Sequence, residues 1–330
     1  MISSTENDVI VDLERLAEEQ LPLLKSVKDS WQPSDFLPDM TDKNWHEQID
    51  DLRKEAAGLS DEALVILVGN IVTEEALPSY QTWLNRSEIL KDQTGASMTP
   101  WALWTRGWTA EENRHGELLS RYLYLCGRVN MRSFEISTHY LIKNGFNPMS
   151  DNNPYRSIVY VAFQERATKI SHANTGQLAE KCGEPTLSKI CAAVAGDEAR
   201  HEEAYKRFFR RIVELDPSHA VIAFAVMMKQ RIGMPARLMS DGIAKDLFSQ
   251  FAAVAQRAEA YTFRDYAEIL KHLVDFWGIA SIPGLFGEAA KAQEYLCRLP
   301  DQYLAKSARI QQTISNLPHE PFEWIFGRRI

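Results

Sequence analysis

The chain has 330 residues, of which 45% are hydrophobic and 25% charged, and its net charge is -8 at pH 7. This length allows a substantial core in one large domain or two. The acidic balance argues against general nucleic-acid binding, although it does not exclude a local basic patch. The longest apolar run, near residues 63–68, is far shorter than the roughly 20 residues of a membrane helix, so we expect no membrane span.

Cysteine usage favours a reducing compartment. The chain contains no C-x-x-C pair and no regular cysteine spacing, so free thiols are favoured over disulfides or a zinc site. The four cysteines are Cys126, Cys182, Cys191 and Cys297. Acidic residues crowd the first twenty positions, which is unlike a secretory signal or a transit peptide.

The first half of the chain predicts helices separated by short breaks. Apolar residues at helical spacing predict helices over 6–28, 47–57, from Ser60 through Glu74, from 101 to Gly127, and over 129–144. Ser60 followed by two acids is typical of a helix start, and Gly127 is typical of a helix end. Pro78, one turn beyond Glu74, predicts a kink or a break.

The second half continues in the same way. A long helix is expected from about residue 154 to Lys181, and another follows the break at 183–186 and ends near Asp216. Further helices are expected up to about residue 315, with breaks near Pro235, Thr262, 278–284 and Pro300, before an irregular tail over 318–330. Because we find no strand-like alternation and no long polar linker, we predict a single all-α domain over 1–330.

Two Glu-x-x-His motifs are the most informative feature. Glu112 and His115 lie on one predicted helix, and Glu198 and His201 lie on another. Residues three apart share a face of a helix, so each pair directs a carboxylate and an imidazole toward one point. Both pairs fall on the apolar stripe of their helix, where an unpaired carboxylate would cost several kcal/mol.

Glu74 and Glu165 extend the pattern. Each lies on an apolar helical segment ahead of one Glu-x-x-His motif, at offsets of 38 and 33 residues, so the two halves resemble a degenerate internal repeat. The order matches the ligands of carboxylate-bridged di-iron or di-manganese helix bundles. Carboxylate and imidazole ligands suit iron or manganese that must meet dioxygen, whereas structural zinc prefers thiolates. Ordinary surface acids and structural histidines are the alternative interpretation.

The chain resembles a known family over most of its length. Four segments carry the likeness at the predicted site: Thr73–Pro78, Trp108–Gly116, Phe163–Thr168 and Asp197–Glu202. It extends to Trp31-Gln32-Pro33, to Ala253–Arg257 and to Trp324-Ile325-Phe326. These segments resemble the soluble, plant-type acyl-ACP desaturases.

The resemblance implies a homodimeric enzyme with a ferritin-like four-helix bundle and two iron ions per subunit. Such an enzyme introduces a cis double bond into an acyl chain on acyl carrier protein, using dioxygen and two electrons from ferredoxin. It implies that Glu74, Glu112 and His115 serve one iron and that Glu165, Glu198 and His201 serve the other. Glu112 and Glu198 are the expected bridges. The compartment would be the cytoplasm, or the plastid stroma for a mature plant protein.

Three further residues receive expected roles. Thr168 lies one turn beyond Glu165, and we expect its hydroxyl to help deliver protons; a hydroxyl that only bonds its own helix is the alternative. Asp197 resembles the family residue that hydrogen-bonds a ligand histidine, here His115. Trp31 resembles a family tryptophan proposed to carry electrons to that pair, and simple packing under a loop is the alternative.

Acyl carrier protein is acidic, so we expect a local basic surface. No acid lies between Asp216 and Asp241, and Lys229, Arg231 and Arg237 in this window are the expected dock. Lys25 and Lys28 are a second possibility, and a solvated helix face is the alternative.

The acyl pocket is expected beside the cluster. Trp83, Arg86 and Ser87 lie two to three turns beyond Glu74 and depart from the family pattern, which puts a stearoyl preference in doubt. His172 is expected to lie near the ligands without being one. No role is assigned to the remaining histidines, His46, His139, His219, His272 and His319.

Two other functions use the same ligands. A ferritin-like iron-binding protein would need no organic substrate, but the chain is roughly twice as long as a bare four-helix bundle. A di-iron hydroxylase of another substrate is the second alternative, which the ligand set alone leaves open.

Overall fold

The computed structural model describes residues 4–87 and 90–330, without the side chains of residues 4–7 and 10. The described chain is built almost entirely of helices, which confirms the all-α prediction. They are α1 (Ser4–Gln20), α2 (Trp45–Ala56), α3 (Asp61–Glu74), α4 (Leu77–Leu84), α5 (Pro100–Cys126), α6 (Met131–Asn144), α7 (Pro154–Lys181), α8 (Pro185–Leu215), α9 (Pro217–Gln230), α10 (Leu247–Arg257), α11 (Phe263–Phe276) and α12 (Gly287–Ser315). The single domain over 1–330 stays a prediction, and residues 1–3 and 88–89 lie outside the described residues.

Local sequence signals set the bounds of the central helices. The Ser60 side chain accepts a hydrogen bond from the Ala63 backbone N–H and thereby caps α3. Gly127 ends α5 in the left-handed conformation that glycine adopts without strain. Helix α3 ends at Glu74 and α4 begins at Leu77, so the break predicted from Pro78 is present.

Helices α3, α5, α7 and α8 form a four-helix core. Helix α3 packs on α5 and α7, and α8 packs on the same two helices. From Ala63 to Glu74, every residue of α3 is buried, which identifies α3 as a central helix. Helices α9, α11 and α12 cover one side of this core, and α10 packs against α3.

Three predictions of secondary structure were wrong in detail. Helix α1 ends at Gln20 rather than residue 28, because Pro22 begins a short 3₁₀ turn over Leu21–Leu23. Helix α12 continues through Pro300 without the predicted break, since Leu296, Leu299 and Pro300 itself are buried there. The tail forms a small antiparallel hairpin, β1 (Pro321–Phe322) with β2 (Arg328–Arg329), whose two-residue strands are too short for a sequence pattern.

No single helix of the described chain is both long enough and apolar enough to cross a membrane. One strongly bent pair, Trp45–Ala56 with Asp61–Leu84, passes the same criteria on length and composition alone.

Candidate metal centre

The four-helix core brings the six predicted ligands together. Glu74 is the last residue of α3, Glu112 and His115 lie in the middle of α5, Glu165 lies on α7, and Glu198 and His201 lie on α8. All six are buried. Since the four helices pack around one axis, side chains separated by more than a hundred residues meet at a single point.

The ligand atoms form two overlapping groups. In each group, one nitrogen or oxygen atom from every residue lies within 4.8 Å of the others. The first group contains Glu74, Glu112, His115 and Glu198, and the second contains Glu112, Glu165, Glu198 and His201. Glu112 and Glu198 belong to both groups, which is the placement of bridging carboxylates.

Both imidazoles direct Nδ1 toward the carboxylates. The His115 Nδ1 atom lies 3.7 Å from a Glu74 oxygen and 3.6 Å from a Glu198 oxygen. The His201 Nδ1 atom lies 2.8 Å from a Glu112 oxygen and 3.4 Å from a Glu165 oxygen. Nδ1 is therefore the atom that each histidine offers to a metal ion.

Several atoms at this point are buried without a hydrogen-bond partner. They are Oε1 of Glu112, Nδ1 of His115, Oε2 of Glu165, Oε1 of Glu198 and Nδ1 of His201. A buried polar atom without a partner costs about 1–3 kcal/mol, and more when it is charged. Five such atoms around one point fit metal ligation, and the donor set of four carboxylates and two imidazoles suits two ions such as iron or manganese.

The pKa values show how the site shares protons before metal binds. Burial opposes the charge of Glu74, but the imidazoles of His115 and His172 beside it outweigh burial and lower the pKa of Glu74 to about 2. Burial, reinforced by the charges of Glu112 and Glu198, raises the pKa of Glu165 well above its usual range. Burial also raises the pKa of Glu198. A bound cation would replace these shared protons.

Each histidine has a carboxylate behind it. The His115 Nε2 atom lies 3.5 Å from Asp197 Oδ2, as the sequence predicted for Asp197. The His201 Nε2 atom lies 3.0 Å from Glu111 Oε2, and we did not predict this residue. The signal was present, because Glu111 precedes Glu112 just as Asp197 precedes Glu198. Such partners fix the orientation of a ligating imidazole.

Trp31 lies directly against one of the histidines. Its ring stacks on the His115 ring with centroids 6.0 Å apart and planes inclined by 18°. The Arg114 guanidinium also lies over the Trp31 ring, with its central carbon 4.5 Å from the ring centroid. Arg114 also hydrogen-bonds Asp197 at 3.2 Å, so Trp31 reaches the Asp197–His115 pair both directly and through Arg114.

A small closed cavity adjoins the ligands. It holds about 30 Å³, and Thr168, Trp108, Tyr80 and Thr73 line it together with four of the ligand glutamates. The Thr168 hydroxyl hydrogen-bonds the backbone carbonyls of Glu165 at 3.0 Å and Gln164 at 3.2 Å. Thr168 thus lies beside the cluster, while its hydroxyl is engaged with its own helix in this state.

Trp83 closes the far side of the cavity. Its ring makes edge contacts with Phe146 at 5.8 Å and Tyr160 at 5.5 Å. The Trp83 Nε1–H donates a hydrogen bond to the Ser150 hydroxyl at 3.2 Å, and Ser157 donates another to Ser150. Trp83 therefore faces inward and is held from both sides. Neither of its predicted companions, exposed Arg86 and buried Ser87, lines this cavity.

A larger groove opens at the surface close to the cluster. It has a volume of about 640 Å³, with Arg231 and Arg237 among its lining residues and buried Thr73 among its inner ones. Thr73 also lines the small cavity, so one residue, next to Glu74 in the chain, lies between the groove and the cavity. Lys229 is exposed and precedes Arg231 by two residues. Its ammonium lies over the Tyr295 ring, 5.5 Å from the ring centroid.

The remaining predicted residues have simpler surroundings. His172 hydrogen-bonds Glu74 at 2.8 Å, which places it next to a ligand as expected. Lys25 and Lys28 are exposed near Trp31. All four cysteines are free thiols.

Comparison with known proteins gives one family. The fatty acid desaturase family model matches residues 5–326. The acyl-(acyl-carrier-protein) 6-desaturase of Thunbergia alata is 51% identical over 94% of this chain and 80% of its own length. The chloroplastic stearoyl-(acyl-carrier-protein) 9-desaturase of Gossypium hirsutum is 49% identical over 98% of this chain and 82% of its own.

One solved structure supports the fold. The chain superposes on DesA2 of Mycobacterium tuberculosis, a candidate acyl-ACP desaturase, with a TM-score of 0.56 over 86% of this chain and 99% of the other. The two are 16% identical, so the likeness concerns the fold alone.

Proposed function

The chain belongs to the fatty acid desaturase family, and we propose that it desaturates acyl chains carried on acyl carrier protein. It is an oxidoreductase, and the reaction forms a cis double bond for fatty acid biosynthesis. Removal of two hydrogens from neighbouring methylenes, with dioxygen, two electrons and two protons, yields the alkene and two waters. The observation that carries this proposal is the buried set of six ligand-type residues beside a small cavity, with a surface groove that shares the lining residue Thr73 with that cavity.

The proposed cofactor is a pair of iron ions. Glu74 and His115 would hold one ion and Glu165 and His201 the other, with Glu112 and Glu198 shared between them. An unactivated methylene has no acidic proton, so the metal pair supplies the oxidising chemistry that side chains lack. The protein binds the acyl chain, orients it beside the ligands and excludes water, which the closed apolar walls around Trp83 and Tyr160 support.

The groove is the proposed path of the acyl chain. Arg231 and Arg237 at its rim offer positive charge to the acidic carrier, and exposed Lys229 adds to it. Asp246 also lines the groove, and its negative charge partly offsets the positive charge of the two arginines. A charge reversal at Arg231 should raise the KM for carrier-linked substrate, and an unchanged KM would move the dock elsewhere, with Lys25 and Lys28 as the next surface to test.

Trp31 is the proposed entry point for electrons from a ferredoxin. Its stacking on His115 supports this role, and the exposed Lys25 and Lys28, three to six residues before it in the chain, offer positive charge for a partner protein. Trp31→Ala should lose ferredoxin-driven turnover while a chemical reductant still reduces the cluster. Equal losses with both reductants would assign Trp31 to packing.

A homodimer is proposed on the family resemblance. An apolar groove of about 1160 Å³, where α5 and α6 meet the segment 37–41, supports it because Tyr124 and Met40 are 67% and 55% exposed there. Sedimentation of the wild type and of Tyr124→Glu tests this surface. A monomeric wild type would contradict the proposal.

One assay tests the function. The purified protein is analysed for iron and then supplied with reduced ferredoxin, dioxygen and acyl carriers of several chain lengths, and the products are identified by mass spectrometry. We expect about two iron ions per chain and a monounsaturated product. A hydroxylated product would favour the hydroxylase, and bound iron without any oxidised acyl product would favour an iron-binding protein. The compartment, proposed as plastid stroma or cytoplasm, is tested by localising a tagged chain.

A further inference from the structure

The outer side of the two histidines is covered by a row of four alternating charges. In order they are Arg114, Asp197, Arg200 and Glu111. Arg114 donates a hydrogen bond to Asp197 Oδ2 at 3.2 Å, and an Arg200 nitrogen lies 2.8 Å from Asp197 Oδ1. A second Arg200 nitrogen donates to Glu111 Oε2 at 2.7 Å. We refer to these four residues as the charge row.

The two carboxylates of the charge row are the partners of the two imidazoles. Asp197 faces Nε2 of His115, and Glu111 faces Nε2 of His201. The same oxygen atom of Glu111 accepts from Arg200 and contacts His201. Among the described contacts, Arg200 is the side chain that reaches both carboxylates, so it links the surroundings of one histidine to those of the other.

The local structure leaves Arg200 little freedom. Its Nε donates to the Leu23 carbonyl at 2.9 Å, and Nη1, the same nitrogen that lies near Asp197, donates to the Gly196 carbonyl at 3.2 Å. The second Glu111 oxygen accepts the Lys25 backbone N–H at 2.7 Å. The side chain of Arg200 is 21% exposed, while those of Asp197 and Glu111 are almost fully buried. The planar, five-donor guanidinium is suited to holding two acceptors at fixed angles.

We propose that Arg200 is a positioning residue shared by both metal sites. It fixes the orientations of Asp197 and Glu111, and these fix the rings of His115 and His201 with Nδ1 toward the metal. Loss of the guanidinium leaves two buried carboxylates without a common partner and lets both imidazoles turn. This inference rests on the metal centre of the proposed function and does not depend on the organic substrate.

The experiment measures metal binding rather than turnover. Fe²⁺ is titrated anaerobically into metal-free protein by calorimetry, and bound iron is counted after gel filtration. The variants are Arg200→Gln, Asp197→Asn and Glu111→Gln. We expect Arg200→Gln to weaken both binding events by about 10- to 100-fold, since the loss of such outer partners has that effect. Each carboxylate variant should weaken mainly one event.

A combination of variants separates positioning from simple bracing. If Arg200 acts through the two carboxylates, adding Arg200→Gln to the Asp197→Asn/Glu111→Gln double variant should change the affinities little further. Fully additive losses would overturn the proposal and assign Arg200 to holding the segment at Leu23 against α8.

Arg207→Gln is the matched control. Arg207 lies two turns further along α8, and its guanidinium also joins this helix to α1, through Gln20. The Arg207→Gln variant should bind two ions with wild-type affinity. If Arg200→Gln does not fold, Arg200→Lys replaces it, because an ammonium keeps the charge but cannot hold both carboxylates.

The outcomes distinguish the two proposals. Wild-type affinity at both sites in Arg200→Gln, or in Arg200→Lys where that variant replaces it, overturns the role of Arg200. A wild type that binds two ions without desaturating any acyl carrier overturns the proposed function and leaves the role of Arg200 standing. A wild type that binds no iron overturns both.

Discussion

Glu74 and Glu165 are buried glutamates on neighbouring helices, and their neighbours shift their pKa values in opposite directions. Two histidines face Glu74 and lower its pKa to about 2 despite burial. Burial and two further carboxylates, Glu112 and Glu198, raise the pKa of Glu165. The residue type supplies the ligand atom, and the surrounding charges decide whether that atom carries a proton before the metal arrives.

The affinity for metal should fall as the pH falls. Burial disfavours the charged imidazoles, but the surrounding carboxylates outweigh it and raise the pKa values of His115 and His201 well above the usual value. The raised pKa values favour the protonated rings in the metal-free protein, and an ion must displace those protons. Calorimetric titrations from about pH 6 to about pH 8, in buffers of different ionisation enthalpy, should show proton release and an affinity that rises with pH. Equal affinities across this range would contradict the assigned proton sites.

Thr168→Val should lower turnover and the yield of double bonds per dioxygen. Valine keeps the shape of the side chain and removes the hydroxyl beside the cluster, so we expect a loss of about 100-fold, as for other proton-transfer groups. The measurement is oxygen uptake together with product yield. Thr313→Val is the control, because the Thr313 hydroxyl bonds a carbonyl of its own helix far from the ligands. Unaltered turnover and coupling in Thr168→Val would leave the hydroxyl with its helical bond alone.

At this scale the sequence is informative where spacing along one helix decides the geometry. Both Glu-x-x-His pairs could be predicted because helical periodicity places the members of each pair on one face, whereas Asp197 was predicted from the family resemblance. Glu111 follows from the same internal repeat, and we overlooked it. The contact between Arg200 and Leu23 could not be predicted, because it depends on how a loop crosses a helix.

Helices α4 and α7 and the loop between α6 and α7 together form one wall of the small cavity beside the ligands. Trp83 on α4 and Tyr160 on α7 meet edge to face, and the loop 145–153 brings Phe146 and Ser150 to the same wall. Three residues of this loop, Met149, Asp151 and Asn152, have left-handed backbone conformations that ordinary side chains rarely adopt. The ring contacts and the hydrogen bond to Ser150 hold Trp83 in this wall, and its side chain occupies space that a longer acyl chain would need.

Trp83→Leu should extend the acyl chains that the enzyme accepts. The smaller side chain opens the end of the cavity, and each further methylene buried adds about 0.8 kcal/mol, or roughly a fourfold gain in kcat/KM. The measurement compares kcat/KM for acyl carriers that differ by two carbons. Trp101→Leu is the control, because Trp101 packs on Phe208 away from the cavity and should cost stability without changing chain-length preference. An unchanged preference in Trp83→Leu would move the limit to another residue.

Predictions about elements succeeded where the cap or the break is local. Ser60, Pro78 and Gly127 mark their helix ends through their own backbone chemistry. The helix break predicted at Pro300 was wrong, because burial of the apolar face of α12 stabilises the helix by more than the loss of one backbone hydrogen bond costs. The inward direction of Trp83 was left open by the sequence, since an isolated tryptophan on a short helix fits either face.

The whole molecule holds its ligands in place at a cost in stability. Like-charged carboxylates and orphaned imidazole nitrogens are buried at the centre of the four-helix core. The surrounding hydrophobic packing of α3, α5, α7 and α8 offsets that cost, and metal ions should reverse it.

Metal should raise the melting temperature by about 10 °C or more. An ion at about 1,000 times its Kd adds roughly 4 kcal/mol, so two ions add roughly 8 kcal/mol. With an unfolding entropy of about 2.1 cal/mol/K per residue, each kcal/mol shifts the Tm of this 330-residue chain by about 1.5 °C. Glu165→Gln should change the metal-free Tm little, because the raised pKa favours the neutral form of Glu165, which glutamine resembles. It should also reduce the gain from metal. Differential scanning calorimetry with and without Fe²⁺ measures both. A full gain in the variant would exclude Glu165 as a ligand.

The place of Glu198 in both groups of ligand atoms bears on the order of events during synthesis. The ligands extend from residue 74 to residue 201, and each group of ligand atoms includes at least one residue of α8. A ribosome adds about 5–20 residues per second from the N-terminus, so a nascent chain carries Glu74, Glu112, His115 and Glu165 before it carries the residues that complete either group. Metal insertion therefore waits until α8 has emerged and packed. Metal supply should then act on chains in which α8 is already in place rather than on the folding of shorter ones.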